Sequence, residues 1–96
     1  LDSRNQLIAS AVGVGQLEWY SLMEQLGHVR MIRTASELTK HWNAWLAAPE
    51  TEPLGIILAM EGADPIIEPA QAGVWWDRGL RACGLAHYGP HPYAAG

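Results

Sequence analysis

A chain of 96 residues holds one domain at most, and 10 acidic against 6 basic side chains (net charge −4) leave no basic stripe of the kind nucleic-acid binders carry. An apolar share of 49% with 17% charged residues excludes a disordered chain. The longest strongly apolar run, residues 55–60, is far shorter than the ~20 residues that cross a bilayer, so no membrane span is expected.

The first element expected is a helix with Ile8, Val12, Gly15, Trp19, Leu22 and Leu26 on one inward face, at steps of four and three, closed by Gly27. Gly13 and Gly15 weaken its first half by roughly 1 kcal/mol each relative to Ala. Residues 7–15 follow Arg4 and have the length of a signal-peptide apolar region, but they run directly into this amphipathic pattern and read as mature structure. Val29 to Ile32 form a short strand. Thr34-Ala35-Ser36-Glu37 is a capping box that opens a second helix, with Leu38, Trp42, Trp45 and Leu46 inward and Pro49 as its stop.

Leu54 to Met60 is a continuous apolar run, expected as one strand covered on both faces. A third helix begins near Pro69, turns Ala70, Val74 and Trp75 inward and ends at Gly79. Trp75 and Trp76 cannot both face inward on it. Leu80 to Ala86 is the last strand. Strand starts near 29, 54 and 80 have the rhythm of right-handed βα units, so the fold class is α/β with about three parallel βα units. Three strands cannot close a barrel, and a complete (β/α)₈ barrel takes about 250 residues. The chain therefore reads as part of one. Its ends also read as cuts, since Leu1 is not an initiator and residues 89–96 are a turn-rich tail.

In parallel α/β folds, ligands gather beyond the carboxyl ends of the strands. Glu61 follows one strand and His87 the next, so both are expected on one rim within reach of one ligand. The plainer reading makes Glu61 a turn residue before Gly62 and His87 a residue opening a loop. Cys83, His87 and His91 are four apart, but Gly89, Pro90 and Pro92 forbid the helix that would gather them on a metal. Cys83 is expected as a small buried residue. As the single cysteine it excludes an internal disulfide framework and fits a reducing, cytoplasmic setting. Trp19, Trp42 and Trp45 are expected in the core. Arg78 and Arg81 suit an anionic substrate, Asp77 or helix-end carbonyls equally well. His28 and His41 receive no role.

Residues 54–66, with Met60-Glu61-Gly62 at their centre, resemble the "EG" strand of the membrane (renal) dipeptidases and their bacterial relatives. Residues 76–87, Trp76-Asp77-Arg78-Gly79-Leu80-Arg81 running to Leu85-Ala86-His87, resemble that family's "GvR…LtH" strand, at matching spacing. Gly15-Gln16-Leu17-Glu18-Trp19-Tyr20 resembles the preceding helix of bacterial members. The resemblance implies a (β/α)₈ hydrolase that cleaves dipeptides at two zinc ions. It implies Glu61 as the metal-bridging carboxylate and His87 as a catalytic, substrate-binding imidazole that polarises the scissile carbonyl.

On this reading residues 1–96 are one incomplete segment of a larger metallohydrolase domain, and the remainder of the barrel is its required partner. A homo-oligomer stays open. The family's His-x-Asp pair and its two later histidines are absent: His28, His41, His87 and His91 precede Arg30, Asn43, Gly89 and Tyr93 at the second place. Ala86 stands where the family has Thr, and Ala63-Asp64-Pro65 replaces a Gly-His continuation. The chain alone is thus expected to be catalytically silent. The alternatives are a non-catalytic α/β interaction module and a family member that has lost its metals.

Overall fold

In a computed structural model, residues 3–85 are described. They alternate helix and strand: α1 (Ser3–Gln25), β1 (Val29–Met31), α2 (Ala35–Ala47), β2 (Leu54–Ile56), β3 (Leu58–Glu61), a 3₁₀ turn (Pro69–Gln71), α3 (Ala72–Asp77) and β4 (Leu80–Gly84). β1 pairs with β2 and β3 with β4, both parallel, as the α/β reading requires. Among the described residues no helix is long and apolar enough to cross a membrane.

Helix ends follow local chemistry. Gly27 takes a φ of 82°, and the amides of His28 and Gly27 bond back to the carbonyls of Met23 and Glu24 at 3.0 Å each. This left-handed closure satisfies carbonyls that the end of α1 would otherwise leave unpaired. Thr34 caps α2, its hydroxyl accepting from the Glu37 amide at 3.1 Å. Glu37 reaches back one residue further than a capping box demands, to the Arg33 amide at 3.4 Å. Gly79, at a φ of 114°, turns the chain from α3 into β4. The third helix begins later than expected: Pro69 opens the 3₁₀ turn instead, and α3 starts at Ala72.

The faces are where the structure departs from the pattern. Ile8, Val12, Trp19, Leu22 and Leu26 all point outward on α1. The buried side of that helix carries Gln6 and Leu17, with Gly13 between them. A Cβ on Gly13 would sit 3.0 Å from Pro65 Cβ and 3.1 Å from Trp75 Cη2. The glycine therefore admits close packing that a larger face cannot match. Gln6 Nε2 donates to the Ile66 carbonyl at 3.1 Å, which satisfies both polar groups in that interface.

α2 is turned in the same way. Leu38, Trp42 and Leu46 are exposed, Trp45 is half-buried, and His41 is the buried side chain. The reason is Gly55 on β2, where a Cβ would lie 2.5 Å from His41 Cδ2 and Nε2. The imidazole fills the space above that bare backbone. Arg30 Nη1 lies 3.0 Å from His41 Nδ1 and 2.8 Å from Glu52 Oε2, joining β1, α2 and the α2–β2 loop. A guanidinium only donates, so Nδ1 accepts and the ring hydrogen sits on Nε2.

The run expected as one strand is two. Its first half pairs with β1, with Val29 opposite Leu54 and Met31 opposite Ile56. Its second half pairs with β4, and Ile57 between them is exposed. The register shifts between Leu58 and Ala59, because Leu58 faces Leu80 and Ala59 faces Ala82. Arg81 is the extra residue of this bulge. Its Nε donates to the Arg33 carbonyl at 2.8 Å, its Nη1 to Trp76 O at 2.6 Å, and its guanidinium lies 3.6 Å from the centre of the Trp76 ring.

Neither strand half is covered on both faces, as Leu54 and Ala59 are exposed. Cys83, expected inside, is exposed on β4, whose described pairing is on its β3 side alone. The main apolar cluster is Leu17, Ala63, Ile66, Trp75 and Leu80, with Val14, Leu58 and Met60 against it, and Met31 and Ile32 are buried at β1. Trp75 is inside and Trp76 outside, as the doublet demands. Val74 and Ala70 face solvent, contrary to expectation, and so do Trp19 and Trp42.

Candidate functional site

Glu61 is the last residue of β3, at its carboxyl end, where the apolar run gives way to Gly62. Gly62 takes a φ of 100°, a conformation that suits glycine, and turns the chain off the sheet. In register Glu61 stands opposite Gly84 on β4. The Ala63 amide donates to the Leu85 carbonyl at 3.5 Å, carrying the pairing of the two segments past the ladder. His87 lies outside the described residues. It follows Gly84 by three positions in the chain.

Glu61 is exposed and belongs to the wall of a cavity of about 520 Å³ between α1 and β3. Asp64 shares that wall, α1 contributes Gln16 and Tyr20, and Leu17 and Trp75 give it an apolar floor. Two carboxylates from the end of β3 and its loop, and an amide and a phenol from α1, line this apolar recess and can accept and donate hydrogen bonds to a small polar ligand. Sequence pattern alone missed Gln16, Tyr20 and Asp64 as members of this wall. Their signal was the step of four from Gln16 to Tyr20, which sets both on one side of α1.

The donor set of the described residues does not complete a zinc centre. No group of three His, Cys, Asp or Glu side chains among them could hold a metal ion. A catalytic zinc takes about three protein ligands, commonly including histidine. His41, the one buried histidine among the described residues, is engaged with Arg30 far from Glu61 in sequence.

The cations are also spent elsewhere. Arg78 pairs with Glu18 rather than Asp77, and Arg81 bonds to the helix-end carbonyl of Trp76. Arg33 pairs with Glu24 at 3.3 Å, while the other oxygen of Glu24 accepts from the Met31 amide at 2.7 Å. Cys83 Sγ donates to the Gly84 carbonyl at 3.5 Å, and desolvation raises its thiol pKa above the ordinary value. Both effects favour the protonated, unreactive form.

Compared with protein-family models, curated proteins and solved structures, the chain matches none of them.

Proposed function

We propose that this chain is a segment of a zinc-dependent dipeptidase with a (β/α)₈ barrel, in which Glu61 is a metal-bridging carboxylate and His87 a substrate-binding imidazole. The observation that supports it is the parallel β3–β4 register. Glu61 ends one strand opposite Gly84 of the next, and His87 follows Gly84 by three positions. Adjacent parallel strands lie about 4.8 Å apart, so groups leaving the same end of both come within reach of one small ligand. The remaining ligands, a His-x-Asp pair and two later histidines, belong to other parts of the larger protein.

The chemistry asked of these residues is modest. A carboxylate has two oxygens and can serve two cations, and an imidazole N–H can donate to a carbonyl oxygen as negative charge grows there. The cavity beside Glu61 offers Gln16 and Tyr20 to the polar ends of a dipeptide. By itself the chain is catalytically silent, because one carboxylate and one imidazole fall short of two zinc sites.

In the full-length parent, Glu61→Gln is expected to remove at least one zinc by elemental analysis and to abolish most dipeptide hydrolysis. Unchanged metal content would sink the bridging role, and flanking codons without the His-x-Asp pair and the two histidines would sink the enzyme. The second reading, an α/β interaction module, is favoured by the exposed Trp19, Leu22, Trp42 and Leu46. It expects Glu61→Gln to leave partner binding unchanged.

A further inference from the structure

The cavity beside Glu61 is chemically one-sided. Its polar side chains are Gln16 and Tyr20 from α1, with Glu61 and Asp64 from the end of β3 and the loop after it, and no lysine, arginine or histidine lines it among the described residues. Arg30, Arg33 and Arg78 are held by Glu52, Glu24 and Glu18, on other parts of the surface. A recess whose charges share one sign focuses its field on the opposite sign, so this one attracts a cation and repels an anion. A carboxylate has two oxygens that accept several donors, so a cation is received beside the bonds that Glu61 and Asp64 already make.

The acceptors suit one kind of cation. An ammonium group carries three N–H donors and no acceptor. Asp64 offers a carboxylate, Gln16 an amide carbonyl and Tyr20 a hydroxyl oxygen, which makes three acceptors from two elements. Gln16 and Tyr20 stand one turn apart on α1, and Asp64 is half-buried three residues past the end of β3. The rest of the recess is apolar. Leu17 and Trp75 are buried members of the core, so the surface they present is fixed in place, and Met60 packs against them. A volume of about 520 Å³ lies within the ~300–1,000 Å³ of small-ligand sites and takes an amine together with its apolar group.

We propose that this cavity captures the amino end of the substrate, a primary ammonium held by Asp64, Gln16 and Tyr20 whose apolar side chain lies on Leu17, Met60 and Trp75. The assignment rests on the dipeptidase reading, and it decides which end of the dipeptide enters here. The free carboxylate of a dipeptide finds no cation in this wall and stays outside it. Dipeptides that begin with a large apolar residue are therefore preferred over those that begin with glycine, and a blocked amino end is rejected.

L-Leucinamide carries the ammonium and the apolar side chain without a carboxylate, so it isolates these two contacts. Titrated into the 96-residue chain at about pH 6.5, where an α-amino group is protonated, it should bind with dissociation on the order of millimolar, as befits so few atoms. NMR spectra should show shifts of the Gln16 side-chain amide and the Trp75 indole N–H. N-acetyl-leucinamide keeps the side chain and loses the ammonium, and glycinamide does the reverse. Each should bind about tenfold or more weaker, because each forfeits one of the two contacts. Asp64→Asn should weaken leucinamide by about tenfold, the worth of one hydrogen bond to a charged group. Gln16→Leu, at an exposed position of α1 where the fold is not at stake, should weaken it by about threefold. No binding of leucinamide, equal binding of its N-acetyl form, or unchanged binding in both variants overturns the proposal. No metal enters this titration. Amine capture by a chain whose full-length parent holds no zinc keeps this inference and sinks the dipeptidase reading. A parent that hydrolyses dipeptides while the chain ignores leucinamide sinks this inference alone.

Discussion

The two parallel strand pairs of this protein are held together by different physics. Around β3 and β4 the work is done by apolar side chains: Leu17 from α1, Ala63 and Ile66 from the loop, Trp75 from α3 and Leu80 all close on one another. Around β1 and β2 the apolar Met31 and Ile32 are buried too, but the buried centre of α2 is an imidazole held by a guanidinium, which is in turn held by Glu52. The first arrangement tolerates changes of contact geometry but not loss of volume. The second depends on which atom donates and which accepts, and on a glycine that leaves room for the ring.

The largest effect expected from breaking this contrast is at Trp75. Trp75→Ala removes the biggest member of the apolar cluster and should cost about 3–5 kcal/mol in chemical denaturation. A loss below about 1 kcal/mol would mean that the cluster is not the stabilising core.

Gly55→Ala probes the polar half. A Cβ there would meet His41 at 2.5 Å and Ile32 Cδ1 at 2.8 Å, so the imidazole must leave its place. The expected cost is about 1–3 kcal/mol, and pairing it with His41→Ala should relieve much of the penalty. Additive losses in that double mutant would show that the ring and the glycine do not oppose each other.

The smallest effect sharpens the comparison at its outer strand. Folding raises the thiol pKa of Cys83 through desolvation, so the folded chain holds that proton more tightly than the unfolded one. The stability this contributes is present below the ordinary thiol pKa and is lost as pH rises from there through the raised folded value. Alkylation of the native protein at neutral pH should be slower than that of a free thiol, despite the residue's exposure. Equal rates would contradict the raised value.

How much of this could be read from the chain depends on the range of the signal. The boundaries at Gly27, Thr34 and Gly79 are set by residues that act on their own backbone, and they stand where the sequence puts them. The α/β alternation was legible for the same reason. The inward faces of α1 and α2 were not, because periodicity reports where apolar residues lie and not what they meet. Gly13 and Gly55 decided those faces by letting Trp75 and His41 approach, and a missing side chain leaves no mark on an apolar stripe.

The candidate site divides along the same line. Glu61 at the end of an apolar run is a local signature, and the structure puts it at the carboxyl end of β3. Its company of Asp64, Gln16 and Tyr20 comes from the docking of α1, which no local pattern encodes. The split of the run at residue 57 was hidden because every residue in it is apolar, while its two halves answer to partners about 25 residues away on either side.

That split bears on how the molecule opens. With Ile57 outside both ladders, the hydrogen bonds of β1 to β2 can exchange with solvent while those of β3 to β4 stay closed. The two ladders are separate in the sheet but tied across by Arg81, whose Nε donates to the Arg33 carbonyl at 2.8 Å, so the pair that opens first must release that bond. Deuterium uptake should divide there, with the polar end fraying first and the apolar end yielding only when everything else has.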